Sequence, residues 1–224
     1  MSPLRLRYQT IELTEVDIHV RSLRDRLQFE DLQGVANQLG ISSAAWPLFG
    51  VVWASSRVLA ELMTEHAIGE KRILEVGCGI GLASLVLNHR LANITATDHH
   101  PEAGPFLAVN VALNAGASIP FVRTGWSDDD CGLGQFDLII GSDLLYEQSL
   151  IAPLAAFIHR HARDICEVVI VDPGREHRGR FCRSMASHGF ACVRSTPTHG
   201  DHLDELFHGE VLTFTRTQIG PERH

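Results

Sequence analysis

Long apolar runs, paired cysteines and an excess of basic residues are all missing from this sequence of 224 residues. No stretch approaches the ~20 consecutive apolar residues that a membrane-spanning helix needs. The first residues lead into alternating apolar and polar positions, unlike the apolar core of a signal peptide. We therefore expect a cytoplasmic protein that makes no contact with a membrane.

The cysteines and histidines form no pattern of metal ligands. The five cysteines are odd in number, widely spaced and without a C-x-x-C pair. This distribution suits neither a disulfide framework nor a zinc site, so we expect reduced thiols. The 13 histidines lack acidic or cysteine partners at a diagnostic spacing. We expect no bound metal, and we expect the histidines, among them His99, His100, His161 and His199, to lie at the surface.

The charge is mildly acidic, with 27 acidic and 19 basic residues and a formal net charge of −8. This balance argues against a general affinity for nucleic-acid phosphates and suits a basic partner. The length allows one domain, or one domain with an appendage, and the hydrophobic share of 45% is typical of a globular protein. We expect a monomer that binds no nucleic acid.

A strand, a tight turn and the start of a helix are predicted over residues 73–84. The apolar residues 73–76 precede three glycines at alternate positions, Gly77, Gly79 and Gly81, and an apolar helical pattern follows at once. Glycine adopts backbone conformations closed to other residues, and it lets a ligand approach main-chain N–H groups. Since open α/β sheets bind ligands at the carboxyl ends of their strands, this turn predicts a site for a nucleotide-like cofactor.

The spacing of the turn distinguishes between cofactors. A dinucleotide fingerprint requires glycine or alanine at position 82, where Leu82 stands. The G-x-G-x-G run after Glu75 instead resembles motif I of the class I S-adenosylmethionine (SAM) methyltransferases. A second predicted strand, residues 94–97, leads to Asp98, at the right distance for a carboxylate that accepts hydrogen bonds from both ribose hydroxyls. A glycine turn of purely structural origin is the alternative.

Strands and helices alternate from residue 73 to residue 195, which predicts βαβ crossovers and a parallel sheet. The strands are predicted at residues 73–76, 94–97, 119–123, 136–141, 167–171, 190–195 and 210–215. Helices are predicted at residues 52–66, 82–91, 101–114, 148–163 and 178–188. Over residues 1–33 apolar residues recur with a period of two, which predicts two or three short strands.

The resemblance becomes more specific after the fourth of these strands. Trp126, followed by residues 136–147 with Asp143 and Tyr146, is similar to the tryptophan and the D-x-x-Y signature of the seven-β-strand non-histone protein lysine methyltransferases. Residues 49–60 resemble the segment before motif I in that family. The resemblance implies a Rossmann-like, doubly wound α/β fold: a mostly parallel seven-stranded sheet with an antiparallel last strand. Residues 1–50 would form an N-terminal β/α extension and residues 51–224 the methyltransferase domain.

The resemblance also implies which residues bind SAM. They are Trp53, Glu75, Gly77, Cys78, Gly79, Gly81, Asp98, Trp126 and Ser142. Glu75 would support the methionine end of the cofactor, Asp98 would bind the ribose and Trp126 would lie against the adenine. Structural alternatives stay open, since either tryptophan could simply fill the core or anchor a loop.

Asp143 and Tyr146 would be the catalytic pair that faces the incoming amine. Methyl transfer from SAM is an in-line displacement, so positioning and electrostatics carry most of the catalysis. A lysine ammonium, with a pKa of ~10.4, has no lone pair, so the site must accept a neutral amine or remove a proton. Asp143 can hold the amine and stabilise the cationic product, while Tyr146 orients it and adds cation–π attraction. Alternatively, Asp143 caps the helix that follows.

The sequence therefore predicts a SAM-dependent, metal-free methyltransferase whose acceptor is a lysine of a protein. One alternative is transfer to a small molecule or another nitrogen on the same fold, and another is a SAM-binding interaction protein without activity. Transfer to an adenine amino group would require an N-P-P-Y-like motif, and residues 142–146 lack its asparagine and prolines. The role of Arg175 stays open between pairing with an acidic group of the substrate and locking Asp172.

Overall fold

The structure is a computed structural model that describes residues 5–24, 31, 34–43, 46–129, 132–197 and 207–216. Two sheets are present in these residues. The smaller is a hairpin of β1 (Leu6–Glu12) and β2 (Asp17–Leu23). The larger has seven strands: β3 (Arg72–Val76), β4 (Asn93–Asp98), β5 (Phe121–Arg123), β6 (Phe136–Ser142), β7 (Ala162–Asp172), β8 (Ala191–Ser195) and β9 (Glu210–Arg216). The helices are α1 (Val35–Gln38), α2 (Ala54–Glu65), α3 (Leu82–His89), α4 (Ala103–Leu113), α5 (Ile151–His161) and α6 (Arg178–Ser187).

The order of strands in the large sheet is β5-β4-β3-β6-β7-β9-β8. All neighbours pair in parallel except β9, which is antiparallel to both β7 and β8. The chain leaves β3 toward β4 on one side and later returns to β6 on the other side. Such a reversal opens a crevice at the carboxyl ends of β3 and β6, where doubly wound sheets bind their ligands. The predicted fold class is confirmed.

Both faces of the central strands β3 and β6 are buried, and successive residues along each strand point to opposite faces. Along β3, Ile73 joins the core under α2, α3 and α4, whereas Leu74 joins the core under α5 and α6. The same alternation separates Leu138 from Ile139 on β6. The middle of these strands is therefore mostly apolar, with Glu75 as a buried exception, and the polar residues at their carboxyl ends are left for the site.

The N-terminal hairpin packs on α4 through two asparagine side chains. Asn110 Oδ1 accepts a hydrogen bond from the backbone N–H of Arg21 at 2.7 Å. Asn114 Oδ1 accepts from the N–H of His19 at 2.8 Å, and its Nδ2 donates to the carbonyl of His19 at 2.7 Å. The inner face of β2 contributes Ile18 and Val20 to the same core as α2 to α4. The predicted extension thus shares a core with the sheet, and a division at residue 50 stays a prediction.

The largest difference from the predicted boundaries is at the junction of α5 and β7, where the strand expected at residues 167–171 begins five residues earlier. The helix expected to reach residue 163 ends at His161, and β7 begins at Ala162 with no loop between them. No glycine or proline marks this junction. Distant side chains hold it instead, because Arg216 donates to the carbonyls of Ala162 and Arg163, and Arg163 pairs with Asp137. These contacts involve residues far away in sequence, so a local pattern gives no sign of them.

Among the described residues, no helix is long and apolar enough to cross a membrane, and no group of acidic, cysteine or histidine residues could hold a metal. The described cysteines are free thiols, and the Sγ atoms of Cys182 and Cys192 lie 3.5 Å apart. Two histidines contradict the expectation of a surface position, since His100 is 4% exposed and His161 is 2% exposed. His199 lies outside the described residues.

Candidate active site

A cavity of about 590 Å³ opens at the carboxyl ends of β3, β4, β6 and β7. Nine of the eleven predicted site residues line it: Trp53, Gly77, Cys78, Gly79, Asp98, Trp126, Ser142, Asp143 and Tyr146. Residues from before the first parallel strand close one side, including Leu48 and Phe49. The fold therefore brings together side chains that are separated by nearly a hundred residues in the sequence.

The glycine turn can only be built from residues without a side chain. Gly77 has φ of +61° and Gly79 has φ of +56°, in the left-handed region that disfavours other residues. A Cβ on Gly79 would lie 2.9 Å from the carbonyl oxygen of Phe49, and one on Gly77 would lie 2.7 Å from a Leu144 methyl group. Both glycines line the cavity, so the turn presents bare backbone to whatever occupies it.

Asp98 ends β4 and is fixed by two backbone donors. Its Oδ2 accepts a hydrogen bond from the N–H of Gly79 at 2.8 Å, and its Oδ1 accepts from the N–H of His100 at 2.8 Å. Burial raises the pKa of this carboxyl, while the two hydrogen bonds act to lower it. A carboxylate has about four acceptor positions, so about two remain for donors in the cavity. This arrangement fits the paired hydroxyls of a ribose.

Glu75 and Gly81 are not among the described residues that line the cavity. Glu75 is 3% exposed and accepts hydrogen bonds from both the backbone N–H and the hydroxyl of Ser84, in the first turn of α3. Gly81 is the N-cap residue, directly before the first residue of α3. Burial raises the pKa of Glu75 to about 7. Both residues therefore hold the start of α3 behind the turn, and a direct contact of either with the cofactor stays a prediction.

Aromatic rings form the walls of the cavity. Trp53 and Trp126 are half-buried and line it from distant positions in the sequence. Trp53 Nε1 donates to the carbonyl of Leu48 at 3.0 Å, and Trp126 also packs on the core under α5 and α6. The loop-anchoring and cavity-lining roles of these residues are thus both present. Cys78 lines the same cavity, and burial raises its pKa well above the usual range, so it stays a neutral thiol.

His99, which the sequence predicted to be a surface residue, lines the cavity and is half-buried. Its Nε2 lies 3.0 Å from the carbonyl of Leu39. Its Nδ1 is buried and has no hydrogen-bond partner among the described residues, and it lies on the side of Gly125 and Asp128. A buried polar atom without a protein partner is costly, so a polar group of a ligand is the natural partner. The neighbouring His100 stacks on Phe49 at 3.9 Å, and burial lowers its pKa to about 4.

The two predicted catalytic residues, Asp143 and Tyr146, line the cavity where β6 ends. Asp143 has φ of +54°, and its backbone N–H donates to the carbonyl of Val171 at 2.9 Å. Helix α5 begins only at Ile151, so Asp143 does not cap it, and that alternative is wrong. Tyr146 is 46% exposed, and the partial loss of water around its hydroxyl raises its pKa, with nearby carboxylates adding to the shift.

Arg175 completes this end of the cavity. Its Nε donates to Asp143 Oδ1 at 2.8 Å and its Nη2 donates to Oδ2 at 3.0 Å, which is a bidentate ion pair. Its backbone N–H is directed at the carboxylate of Asp172, 3.0 Å from each oxygen. The sequence suggested a lock on Asp172 or a contact with the substrate, and the guanidinium instead binds the predicted catalytic carboxylate.

Comparison with known proteins shows a match to one protein family. Residues 26–187 match the model of a family described as lysine methyltransferase. The protein N-lysine methyltransferase METTL21A of Danio rerio is 32% identical over 134 residues, which cover 54% of this chain and 61% of that protein. The electron transfer flavoprotein beta subunit lysine methyltransferase of Mus musculus is 26% identical over 133 residues, which cover 58% and 51%. This chain thus spans about half to three-fifths of the length of these relatives.

Solved structures of methyltransferases share the fold. The magnesium protoporphyrin IX methyltransferase of Synechocystis PCC 6803, solved with bound SAM, superposes with a TM-score of 0.56 and 16% sequence identity. The match covers 73% of this chain and 78% of that one. At this identity the likeness concerns the arrangement of strands and helices.

Proposed function

Since the chain belongs to the lysine methyltransferase family, we propose that it transfers a methyl group from SAM to the side chain of a lysine in a protein substrate. One observation carries the proposal. A carboxylate fit for a ribose, Asp98, and a carboxylate fit for an amine, Asp143, face the same cavity beside a turn of bare glycine backbone.

The residues of the glycine turn and the neighbouring strand ends would hold the cofactor. In this proposal Asp98 accepts hydrogen bonds from the ribose hydroxyls, and Trp126 lies against the adenine. When bound, SAM supplies an electrophilic methyl group on a sulfonium. The pocket fits such a group because Gly77 and Gly79 leave room that a Cβ would fill, and because His99 offers a buried nitrogen without a partner among the described residues.

Asp143 and Tyr146 would receive the acceptor. The carboxylate of Asp143 can accept a hydrogen bond from the amine and stabilise the positive charge that the nitrogen gains. The ring of Tyr146 is half-exposed at the cavity mouth and can bind the same cation through its π face. The aromatic and apolar residues that line the cavity lower the local dielectric constant, which strengthens these electrostatic contacts.

Net charge supports a basic protein segment as partner, and we propose neither a nucleic acid nor a membrane as substrate. We further propose that the protein acts in the cytoplasm as a monomer, with residues 1–50 as an extension of the methyltransferase domain. In this proposal the acceptor segment approaches the rim where Asp143 and Tyr146 lie.

Incubation of the purified chain with radiolabelled SAM and a cell extract tests the proposal. We expect discrete labelled protein bands with the wild type, and none with the Asp143→Asn variant. Mass spectrometry of a labelled band then identifies the methylated side chain, which we expect to be lysine. Label on arginine, on small molecules only, or on nothing despite SAM binding would contradict the proposal.

A further inference from the structure

A single arginine joins the ends of two neighbouring strands across the mouth of the cavity. Arg175, which follows β7, holds both carboxylate oxygens of Asp143, which follows β6 and is 32 residues away in the sequence. The Asp143 side chain is only 12% exposed, whereas that of Arg175 is 42% exposed. The carboxylate is therefore covered by the guanidinium on one side and faces the cavity on the other.

The position of Arg175 is itself set by a buried carboxylate. Asp172 is fully buried, and each of its carboxylate oxygens lies 3.0 Å from the backbone nitrogen of Arg175. Between them Gly174 has φ of +110°, which permits the tight turn. A second arginine, Arg178, approaches the same carboxylate at 3.8 Å. Burying a carboxylate is costly unless it is paired, so this turn is strongly specified.

The backbone of Asp143 is equally constrained. Its φ of +54° lies in the left-handed region, which aspartate and asparagine adopt more readily than other residues with a side chain. Its N–H is bonded to the carbonyl of Val171, in the strand that carries Asp172. Non-glycine residues in such conformations are concentrated at functional sites, where the surrounding structure holds them in place. Both partners of the ion pair are thus fixed on adjacent strand ends.

We propose that Arg175 is a positioning residue for methyl transfer, which holds the carboxylate of Asp143 in the single orientation that an acceptor amine meets. Asp172 acts one step further back by fixing Arg175. The proposal rests on the function proposed above and deepens it. With both oxygens engaged by the guanidinium, Asp143 offers the amine its remaining lone pairs. Asp143 then orients the acceptor, and its carboxylate does not turn away toward solvent.

The competing interpretation is an ordinary exposed ion pair. Its loss would lower the free energy of unfolding by ~1 kcal/mol or less and would not change kcat. Three variants separate the two: Arg175→Ala, Arg175→Lys, and Arg180→Ala, which removes the same charge from an exposed position of α6. In Arg175→Ala we expect kcat to fall about tenfold or more while the Kd for S-adenosylhomocysteine stays within about twofold. Arg175→Lys should recover part of kcat, since lysine restores the positive charge but cannot form the bidentate pair of a guanidinium. Arg180→Ala should match the wild type.

Three outcomes would overturn the proposal. One is a kcat of Arg175→Ala within about twofold of the wild type. A second is a lower KM for the acceptor with kcat retained, because Arg175 would then obstruct the site. The third is a loss of S-adenosylhomocysteine affinity as large as the loss of kcat.

A readout that needs no activity keeps this test separate from the proposed function. Crystal structures of Arg175→Ala and Arg180→Ala with S-adenosylhomocysteine should show the Asp143 carboxylate displaced in the first variant and in place in the second. If the wild type binds the cofactor yet methylates nothing, the proposed function fails, and the carboxylate position still decides whether Arg175 positions Asp143. An unmoved carboxylate in Arg175→Ala would contradict the proposal.

Discussion

The carboxylate of Asp98 accepts a hydrogen bond from the backbone N–H of Gly79 at 2.8 Å. This bond ties the end of β4 to the turn that follows β3, so the two halves of the proposed cofactor site are not independent. A substitution in the turn should therefore shift the position of the Asp98 carboxylate, and a substitution of Asp98 should alter the conformation of the turn.

Gly79→Ala should damage both the fold and cofactor binding. The added Cβ would lie 2.9 Å from the Phe49 carbonyl oxygen, in a left-handed conformation that alanine disfavours by about 1–2 kcal/mol. We expect the melting temperature to fall by about 2–8 °C, and the affinity for S-adenosylhomocysteine to fall about tenfold or more.

Gly69→Ala is the matched control for this substitution. Gly69 also has a positive φ, +45°, but a Cβ there meets nothing within 4 Å. It should lower the melting temperature through backbone strain and leave the affinity unchanged. Equal affinities in the Gly79→Ala variant and the wild type, measured by calorimetry, would show that the turn is not part of the cofactor site.

Glu75→Gln should change how stability depends on pH. The pKa of Glu75 is raised from 4.5 to about 7 in the folded chain, so the folded state binds more protons than the unfolded state between these values. The stabilisation is therefore fully present below pH 4.5 and is lost as the pH rises to about 7. From about pH 5 to about pH 8, the wild type should lose about 2–3 kcal/mol more than Glu75→Gln.

Urea denaturation at the two pH values measures this difference. His100 acts in the opposite direction, because its pKa is lowered to about 4 and its contribution is lost as the pH falls below its ordinary value of 6.5. Both proteins retain His100, so the comparison cancels its effect. Parallel stability curves for the wild type and Glu75→Gln would mean that Glu75 does not titrate in this range.

Asn110→Ala should weaken the attachment of the N-terminal hairpin. Asn110 is fully buried, and it accepts from the N–H of Arg21 while its Nδ2 donates to the carbonyl of Ile80 at 3.2 Å. Removal leaves the half-buried N–H of Arg21 and the buried carbonyl of Ile80 without their partner, at a cost of about 1–3 kcal/mol. Asn114→Ala acts on the more exposed end of the same contact and should cost about 1 kcal/mol or less. Chemical denaturation compares the two, and an equal effect would contradict the assignment.

Asp143→Asn should abolish methyl transfer and leave cofactor binding largely intact. Asparagine tolerates the left-handed backbone of this position, so the fold is retained. It removes the negative charge that would stabilise the cationic nitrogen, and we expect kcat to fall by about two orders of magnitude. Steady-state kinetics alongside binding of S-adenosylhomocysteine measures both quantities. A parallel loss of affinity would place Asp143 in the cofactor site instead.

Local patterns in the sequence predict the large sheet and the residues proposed to bind the cofactor. The apolar strands 73–76 and 136–141, the glycines between 77 and 81, and Asp98 are each visible within a few residues of chain. Because parallel strands place their carboxyl ends at one edge, the meeting of these residues could be expected from the sequence alone. The β3–β6 switch point and the antiparallel β9 agree with that expectation.

The remaining features depend on contacts between distant residues. The bond from Arg175 to Asp143 crosses 32 positions, and the contact of His99 with Leu39 crosses 60. The sequence predicts His100 at the surface, because no nearby residue in the sequence indicates that Phe49 stacks on it. Glu75 lies next to the glycines in sequence, yet its side chain is turned away from the cavity toward Ser84. The periodicity of apolar residues thus predicts the strands and helices, but it does not predict which neighbours these polar side chains contact.

Calorimetric titration of S-adenosylhomocysteine into the wild type, Asp98→Ala and Asp143→Asn tests the central claim most directly. We expect one binding site in the wild type, an affinity lower by more than about tenfold in Asp98→Ala, and a nearly unchanged affinity in Asp143→Asn. Equal affinities in the wild type and Asp98→Ala would contradict the claim that the cavity at the carboxyl ends of β3, β4 and β6 holds the cofactor.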